Sequence, residues 1–298
     1  MAYIEKKIIN GKVYYYLTET KRINGKFKKK RKYLGTKIPK DIEEYLKKKE
    51  EKAKTKIKHY LTKRQIKIVD KIQKEYLKKY KIDQTLWKTE KKKLISFIHN
   101  TNAIEGNTLS LKDTEDILKG KKIKGMEKKR RDVKETKNMK KCIDFLFEYK
   151  EDITIDFILK LHKIEMNDIM QDAGQFRMYD VRVGNYLCPK YQELPKLMFE
   201  LVDWYNKNKN KIHTIELASL IHLKFVKIHP FGDGNGRIAR LLMNFVMLKA
   251  KYPLINIFND KKMYYYLVLQ KYDSDKKEKD FVRYVYELFG MQYKEYLK

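Results

Sequence analysis

Two apolar stripes of helical period, separated by the glycine-rich stretch HPFGDGNGR, constrain the fold of this chain more than any other feature. In both stripes apolar residues recur at spacings of three and four, which is the spacing of one buried helical face. The stripes consist of Ala218, Ile221, Phe225 and Ile228, and of Ile238, Leu241, Leu242, Phe245 and Leu248. The sequence therefore predicts two core helices, with this glycine-rich stretch as the loop between them.

The composition is typical of a folded chain from a reducing compartment. With 298 residues, 42% of them hydrophobic, and only 5 prolines, the chain can form one large domain or a domain with an appendage. Cys142 and Cys188 have neither metal-site spacing nor a disulfide framework. No apolar run approaches the ~20 residues of a membrane span, and the first residues lack the apolar centre of a signal peptide. We expect a cytoplasmic protein without a membrane partner.

The chain is also strongly basic, with 70 lysines and arginines against 39 acidic residues and a formal net charge of +31. Such a field attracts polyanions, among them nucleic acids, nucleotide triphosphates and acidic protein surfaces. Lysine-rich helices are also often no more than solvated surfaces. The charge therefore indicates a class of partner and no single partner.

The first forty residues differ from the rest of the chain. Two Asn-Gly pairs, at 10–11 and 24–25, lie between runs rich in Val, Ile, Tyr and Phe. Asn-Gly suits the two-residue hairpin turn, because both central residues of that turn need a positive φ. We predict a basic, three-stranded antiparallel β-meander over residues 1–38. Its strands are expected at 3–9, 12–22 and 26–34.

Helical patterns dominate after the meander. Residues 39–82 are so charged that they are typical of an exposed helical linker, and within them Thr62 and Gln65 form a capping-box pattern that opens a helix. The alternation of Val181 and Val183 before the pair Gly184-Asn185 predicts a short hairpin that interrupts the helices.

The central loop combines the groups that a phosphate site needs. Gly232, Gly234 and Gly236 let backbone N–H groups approach an anion. The helix that begins near Asn235 points its positive end at the same place. We interpret this stretch as a phosphate cradle at a helix N-terminus.

Charged residues surround the predicted cradle. Arg237 and Arg240 lie three apart on the helix and can bind further phosphate oxygens. Asp233 is a hard oxygen ligand that suits Mg²⁺. His229, an imidazole with an ordinary pKa near ~6.5, is a candidate general base. A histidine after an apolar helix is more often structural, which is our interpretation of His222. We do not extend this interpretation to His229, because the glycine-rich loop with its acid and two arginines follows it directly.

The stretch from His229 to Arg240 resembles the signature of the Fic family, HxFx(D/E)GNGRxxR, at every fixed position. This family has an α-helical fold and typically transfers AMP from ATP to a hydroxyl of a target protein. The resemblance implies that His229 deprotonates a Ser, Thr or Tyr hydroxyl of the target and that Phe231 anchors the loop in the core. It also implies that ATP is the substrate and that Asp233 binds Mg²⁺.

The resemblance assigns the remaining loop residues to the phosphates. Gly234, Asn235 and Gly236 are expected to form the anion hole for the α- and β-phosphates. Arg237 is expected to support the phosphates, and Arg240 to hold the γ-phosphate. Transfer of this kind needs the protein mainly to position groups and neutralise charge.

The stretch TNAIEGNTLSL resembles a second Fic motif, (S/T)xxxE(G/N), with Thr101, Glu105 and Gly106 in its fixed places. Without the central loop, it would be an ordinary helix end, with two residues on one face and a glycine terminator. The resemblance implies an inhibitory helix around residues 95–106, in which Glu105 pairs with Arg240 and denies it to the γ-phosphate. A motif in this position is that of the self-inhibited class with an N-terminal inhibitory helix.

Residues 173–177, AGQFR, and the following VRVG, which is Val181, Arg182, Val183 and Gly184, resemble the flap of the family. The flap is a hairpin that docks the target as an added strand, so that its hydroxyl meets the general base. The resemblance implies a target-docking role for this hairpin.

These features predict a mainly α protein, a Fic-type helical bundle with a β-hairpin flap and a small N-terminal β-meander. The Fic domain is expected over residues 83–298, with its core around 150–290. The expected function is that of a self-inhibited protein adenylyltransferase, whose site could also remove AMP or modify the chain itself.

Two other functions stay open at this point. The first forty residues carry 13 lysines and arginines against Glu5 and Glu19, with three successive tyrosines at 14–16. Residues 1–38 could therefore bind nucleic acid, which would make the chain a regulatory nucleic-acid-binding protein. Alternatively, the enzyme could use another donor, since relatives of this fold can transfer UMP, phosphate or phosphocholine. The target protein and the assembly, monomer or homodimer, are not determined by the sequence.

Overall fold

The computed structural model describes residues 2–9, 12–23, 26–37, 59–79, 90–275 and 277–297 of the chain. The chain divides into two compact units, Met1–Lys58 and His59–Lys298. Each unit has a secondary structure of its own, the first a β-sheet and the second a helical bundle with one hairpin.

The first unit contains the predicted meander. Its strands β1 (Ala2–Ile9), β2 (Lys12–Ile23) and β3 (Lys26–Gly35) form an antiparallel sheet in the order β1-β2-β3. Ile4 lies opposite Leu17 in β2, and Tyr16 lies opposite Tyr33 in β3. The two Asn-Gly turns lie outside the described residues. The prediction of a three-stranded antiparallel sheet is confirmed.

The predicted linker is only partly described. Residues 38–58 and 80–89 lie outside the described residues, so the predicted boundaries at 38 and 82 stay predictions. Between these gaps the capping box is confirmed: Gln65 Oε1 accepts the backbone N–H of Thr62 at 2.8 Å, and Thr62 Oγ1 accepts that of Gln65 at 3.3 Å. A helix begins at Lys63, directly after Thr62, as this motif predicts.

Ten α-helices lie in the part of the second unit that the structure describes. In chain order they are α1 (Lys63–Lys79), α2 (Lys91–Ile104), α3 (Leu111–Leu118), α4 (Arg130–Glu148), α5 (Ile155–Glu165), α6 (Leu194–Asn208), α7 (Thr214–Ile228), α8 (Asn235–Lys249), α9 (Lys262–Asp275) and α10 (Glu278–Gln292). Short 3₁₀ segments occupy Tyr191–Glu193, Asn259–Lys261 and Lys294–Leu297.

Side-chain caps fix the start of two helices near the middle of the chain. Ser110 and Asp113 form a reciprocal capping box at the start of α3. Thr154 Oγ1 accepts the backbone N–H of Phe157 at the start of α5. Each cap satisfies a backbone donor that would otherwise be unpaired in the first helical turn.

Helix α7 lies at the centre of the bundle, where it contacts α6, α8 and α10. The stripe predicted along α7 and α8 is buried, with two exceptions at the helix ends. Ile228 and Leu248 are only half-buried, whereas the other seven residues are fully buried or nearly so: Ala218, Ile221, Phe225, Ile238, Leu241, Leu242 and Phe245. These two helices therefore form a rigid support for the loop between them.

A two-stranded hairpin interrupts the helices, as predicted. Strands β4 (Arg182–Val183) and β5 (Tyr186–Leu187) pair antiparallel, and Gly184 has a φ of 55° in the turn. The fold class is thus confirmed as mainly helical with two small antiparallel sheets. Within the described residues, no helix has the length and apolar character needed to cross a bilayer.

Glu216 ties the chain before α1 to the central helix. This fully buried side chain on α7 accepts the backbone N–H groups of Tyr60 and Leu61, each at 2.6 Å. We expect Glu216→Ala to lower the free energy of unfolding by about 2–3 kcal/mol, because one buried and one part-buried backbone donor lose a charged acceptor. Urea unfolding measures this loss. Glu200→Ala, an exposed change on α6, should leave the midpoint unchanged, and an equal loss in both variants would contradict the role of Glu216.

Candidate active site

The loop between α7 and α8 is held in an unusual backbone conformation. His229 ends α7 with a φ of 51°, in the left-handed region that non-glycine residues rarely occupy, and Gly234 precedes α8 with a φ of 78°. Asn235 clamps the turn, since its Nδ2 donates to the carbonyl of Phe231 at 2.8 Å and its Oδ1 accepts the Phe231 N–H at 3.0 Å. The Phe231 ring is fully buried. The loop is therefore anchored at both ends and in its middle.

His229 is prepared to accept a proton at one ring nitrogen. Its Nδ1 lies 3.3 Å from the carbonyl oxygen of Val226. A carbonyl only accepts, so Nδ1 must carry the hydrogen in this contact and Nε2 keeps its lone pair. Burial lowers the pKa of His229 below its ordinary value and outweighs the opposite effect of the Val226 carbonyl. At neutral pH the ring is uncharged, which is the state that a general base needs.

Asp233 lies between two arginines. Its Oδ2 accepts from Arg131 Nη2 at 2.6 Å, and its Oδ1 lies 3.3 Å from Arg237 Nη2 and also accepts the N–H of Gly234. Burial opposes ionisation of this carboxyl, but Arg237, the Gly234 N–H and Arg131 outweigh it and hold its pKa below the usual range. Within the described residues, no cluster of three or more His, Cys, Asp or Glu side chains is arranged to hold a metal. A single carboxylate such as that of Asp233 suits a cation that takes its remaining ligands from phosphate oxygens and water.

Arg237 lies beneath the loop in a carboxylate cage. It is almost fully buried, with Glu135 Oε1 at 3.1 Å and Glu165 Oε1 at 3.3 Å in addition to Asp233. Burial raises the pKa of Glu165 to about 7, although Arg237 acts in the opposite direction. The sequence did not point to Glu135 and Glu165. In the sequence these two residues look like ordinary acids of a helix surface, because only the packing of α4 and α5 brings them to Arg237.

Arg240 is held by the two residues that the second motif predicted. Its Nε donates to Thr101 Oγ1 at 2.7 Å, and its Nη2 donates to the Thr101 carbonyl at 2.8 Å and to Glu105 Oε1 at 2.7 Å. Gly106 follows with a φ of 102° and ends the helical segment. The guanidinium is almost fully buried, so these contacts form a tight ion pair between α2 and α8.

Glu105 also covers the start of α8. A Cβ atom at Gly236 would collide with Glu105 Oε1 and would lie 3.1 Å from Arg240 Nη1. Only glycine allows the carboxylate to approach the backbone this closely. An anionic group thus occupies the place in front of the helix N-terminus, where the sequence predicted a phosphate.

The loop, the acid at 105 and the hairpin share one cavity of about 360 Å³. Its lining includes His229, Gly236 and Glu105, together with Val183 and Gly184 of the hairpin. Tyrosines complete the walls, namely Tyr186, Tyr265 and Tyr266. Of the other two predicted flap residues, Val181 accepts the N–H of Cys188 at the hairpin base and Arg182 is exposed on β4. The cavity is large enough for a small-molecule ligand.

Known proteins are similar to this chain in sequence and fold. The model of the Fic/DOC family matches residues 152–247. Residues 134–508 of Fic-1 from C. elegans are 30% identical, with 78% of this chain and 71% of that one covered and a TM-score of 0.69. The chain belongs to the Fic/DOC family. A Fic-domain signaling protein from Bacteroides thetaiotaomicron is 27% identical, with 78% and 96% covered and the same TM-score of 0.69.

Curated Fic relatives are similar over part of their length. A protein of Nematostella vectensis is 34% identical over 203 residues, which are 63% of this chain and 45% of that protein. One of Drosophila willistoni is 32% identical over 214 residues, which are 69% and 42%. Both are named Protein adenylyltransferase Fic. This chain spans less than half the length of these relatives.

His162 supports the Fic loop, although sequence reasoning missed it. Its ring stacks on Phe231 at 3.7 Å between centroids, its Nδ1 accepts the N–H of Gly174 at 2.9 Å, and its Nε2 donates to the carbonyl of Asp233 at 3.1 Å. Burial lowers the pKa of His162 to about 4, so the ring stays neutral. A lone histidine on a helix gave no signal of this role, because its partners lie far away in sequence.

Arg177 is the second missed support of the Fic loop. Its guanidinium is almost fully buried and donates to three backbone carbonyls, of His229 at 2.9 Å, Tyr179 at 2.6 Å and Pro189 at 2.7 Å. It joins the end of α7 to both ends of the segment that carries the flap. The stretch AGQFR pointed to the flap, but it did not show that this arginine is structural.

We expect Arg177→Lys to loosen the Fic loop. An ammonium cannot reproduce the planar fork that reaches three carbonyls, so the free energy of unfolding should fall by about 2 kcal/mol. Amide exchange at residues 231–235 should become faster, as measured by hydrogen–deuterium exchange mass spectrometry. Arg182→Lys is the matched control, since Arg182 is exposed on β4. Unchanged exchange in Arg177→Lys would show that the loop does not depend on this contact.

Proposed function

We propose that this chain is a self-inhibited protein adenylyltransferase, which transfers AMP from ATP to a Ser, Thr or Tyr hydroxyl of a target protein. The observation that carries the proposal is the cavity that is lined by His229, by Gly236 at the start of α8, by the hairpin and by Glu105, which holds Arg240. The names of the curated relatives support it, since both are called protein adenylyltransferases.

His229 is proposed to act as the general base. The target hydroxyl donates its proton to Nε2 while its oxygen attacks the α-phosphorus of ATP. A new phosphorus–oxygen bond forms, the bond to the β-phosphate oxygen breaks, and pyrophosphate leaves. The hydrogen bond from Nδ1 to the Val226 carbonyl supports this role, because it fixes the tautomer and orients the ring.

The start of α8 is proposed to bind the phosphates. Backbone N–H groups at Asn235 and Gly236 are proposed to contact the phosphates, with the positive end of the helix behind them. The N–H of Gly234, which donates to Asp233 in this structure, is proposed to join them. The Asn235 side chain is already bonded to Phe231, so Asn235 contributes through its backbone. Arg240 is proposed to hold the γ-phosphate. Arg237, caged by carboxylates, supports the phosphates by positioning Asp233 and the helix start.

Mg²⁺ is proposed to bind at Asp233 together with the phosphates of ATP. The residues fit this ion, because Mg²⁺ in nucleotide sites commonly takes one or two carboxylates and completes its shell with phosphate oxygens and water. When bound, the ion neutralises phosphate charge. Arg131 and Arg237 now compensate the carboxylate in its place.

Glu105 is proposed to be the brake. It occupies the side of Arg240 that a γ-phosphate needs, and its carboxylate covers Gly236. A triphosphate that entered this site would meet a negative charge and lose its guanidinium partner, so it would bind with a displaced phosphate chain. The same carboxylate could orient a water for removal of AMP.

The hairpin of Val181, Arg182, Val183 and Gly184 is proposed to dock the target. Val183 and Leu187 are exposed on its two short strands, and an extended target segment can add to such an edge by backbone hydrogen bonds.

Three points that the sequence raised remain predictions. They are the use of a nucleotide donor other than ATP, a homodimer, and a cytoplasmic location.

We expect Glu105→Gly to raise AMP incorporation by about tenfold to a hundredfold, since a misplaced reacting group costs a factor of that order. His229→Ala in the Glu105→Gly background should reduce it by about 10²–10⁴, the usual contribution of a general base. Labelled ATP and mass mapping of modified hydroxyls, including the chain's own, measure both effects. Glu115→Gly, a change of an acid on α3 outside the cavity, is the control. Equal incorporation by wild type and Glu105→Gly would refute the brake.

We expect Arg131→Ala to lower the Mg²⁺ concentration that half-saturates ATP binding by a few-fold. Arg131 competes with a cation for Asp233 Oδ2, and a pair with an exposed partner is worth about 0–1 kcal/mol. Isothermal titration of ATP at a series of Mg²⁺ concentrations, in the Glu105→Gly background, measures the change without turnover. Arg130→Ala alters the neighbouring exposed arginine and should have no effect. A higher Mg²⁺ requirement in Arg131→Ala would contradict the competition.

A further inference from the structure

One face of the N-terminal sheet carries a cluster of aromatic and basic side chains. In β2, Tyr14 and Tyr16 are two residues apart and so lie on the same face. In the strand register, Lys7 of β1 is opposite Tyr14, and Tyr33 of β3 is opposite Tyr16. Lys29 lies further along β3 on this side, since it is four residues before Tyr33. We call these five residues the tyrosine face.

The rings of the tyrosine face form a continuous patch. The centroid of Tyr33 lies 5.4 Å from that of Tyr16 and 6.2 Å from that of Tyr14, in both pairs with tilted planes. Lys7 Nζ lies 5.6 Å from the centroid of Tyr16. Tyr33 keeps 54% of its surface exposed. The patch therefore offers an accessible aromatic ring with neighbours that limit its motion.

The charge on this face is positive. Glu5 is an acidic side chain near the patch, and it is bound to Arg31 at 2.7 Å and to Thr18 at 2.8 Å. Arg31, through its hydrogen bond, holds the pKa of Glu5 at about 2, so the acid and Arg31 compensate one another. Lys7, Lys29 and also Lys12, which lies two residues before Tyr14 on the same side of β2, are the cations of the face. An anionic partner is thus favoured over a neutral one.

The opposite face of the same sheet has a different chemistry. It carries Ile4, Ile8, Val13, Tyr15 and Leu17, with Lys6 as a basic residue among them. Aliphatic side chains give no platform for a planar ligand and no contact for a phosphate. Tyr15 and Lys6 lie opposite one another on that face, but Tyr15 is a single ring there, whereas the tyrosine face joins three rings in one patch.

We propose that the tyrosine face binds single-stranded nucleic acid. Unpaired bases stack on Tyr33 and Tyr16, and the backbone phosphates contact Lys29 and Lys7. Every unpaired base has a ring face that can stack on an exposed tyrosine, whereas the bases of a duplex are already stacked on one another. Lysines at the edge of an aromatic platform track the phosphates without reading the sequence. This binding does not require the proposed transfer chemistry.

Binding by the full chain to labelled 20-nucleotide thymidine and uridine strands tests the proposal. Fluorescence anisotropy at 50, 100 and 200 mM NaCl gives the dissociation constants. A labelled 20-base-pair duplex is measured in the same way for comparison. We expect tighter binding to the single strands than to the duplex. Tyr33→Ala should weaken it by about tenfold, and Tyr33→Phe, which keeps the ring, should bind as wild type does. His229→Ala should also bind as wild type, so the two proposals fail separately.

Two lysines provide the matched charge pair. Lys29→Gln should lower the salt slope of binding by about 0.7, the value for one phosphate contact on a single strand. Lys6→Gln, an equal change of charge at an exposed position on the opposite face, should leave the slope nearly unchanged. Equal effects of the two substitutions would indicate attraction by net charge alone and would overturn the proposal.

Photocrosslinking covers the case in which Tyr33→Ala does not fold. A uridine strand that contains 5-bromouridine is irradiated with the wild-type chain, and the crosslinked residues are mapped by mass spectrometry. Crosslinks at Tyr14, Tyr16 or Tyr33 support the proposal. Crosslinks confined to residues 59–297, duplex binding as tight as single-strand binding, or equal binding by Tyr33→Ala and Tyr33→Phe would each overturn it.

Discussion

The site depends on a set of buried hydrogen bonds that holds the loop between α7 and α8. Arg177 reaches the carbonyl of His229, His162 reaches that of Asp233, and Asn235 closes the turn around Phe231. Three side chains from separate parts of the chain thus hold a backbone that includes a left-handed histidine. Such a conformation costs free energy and persists only where its surroundings over-determine it. This loop conformation places the imidazole of His229 and the start of α8 at the same cavity.

Charge compensation decides which contacts in that cavity can change. Buried arginines need anionic partners, because an unpaired buried charge is strongly unfavourable. Glu165 and Glu135 are 0% and 7% exposed beside Arg237, so they are out of reach of a bound phosphate chain. Glu105 and Asp233 are 29% and 42% exposed, at the mouth of the site. In the proposed function, the exposed carboxylates are the ones that a phosphate chain and its cation would displace or share. The difference in exposure separates them from the supporting charges around Arg237.

Sequence reasoning found the residues of the site better than it found their supports. The apolar stripes predicted α7 and α8, and the two motifs pointed to His229, Arg240 and Glu105, which the structure brings together. It missed the contacts of His162 and Arg177 with the loop, because the loop carbonyls that they bind are more than 50 residues away in the chain. A side chain that binds a distant carbonyl leaves no periodic or local pattern. Arg131 was also missed, because the carboxylate that it binds, that of Asp233, is 102 residues away in the chain.

Sequence by itself determined the local elements: the helices from their period, the meander from its turn residues, and the identity of the groups in the loop. Local spacing carries this information, since a helix or a hairpin is specified by residues close together in the chain. The pair of Glu105 and Arg240, more than 130 residues apart, was implied by the resemblance of two motifs to a family and by no local spacing. The tertiary structure shows this pair and decided that Thr101 is a second partner of Arg240. It also decided that Asp233 faces Arg131, and that three tyrosines of two strands form one patch. These contacts arise when separate elements pack, and no local pattern encodes which side chains then meet.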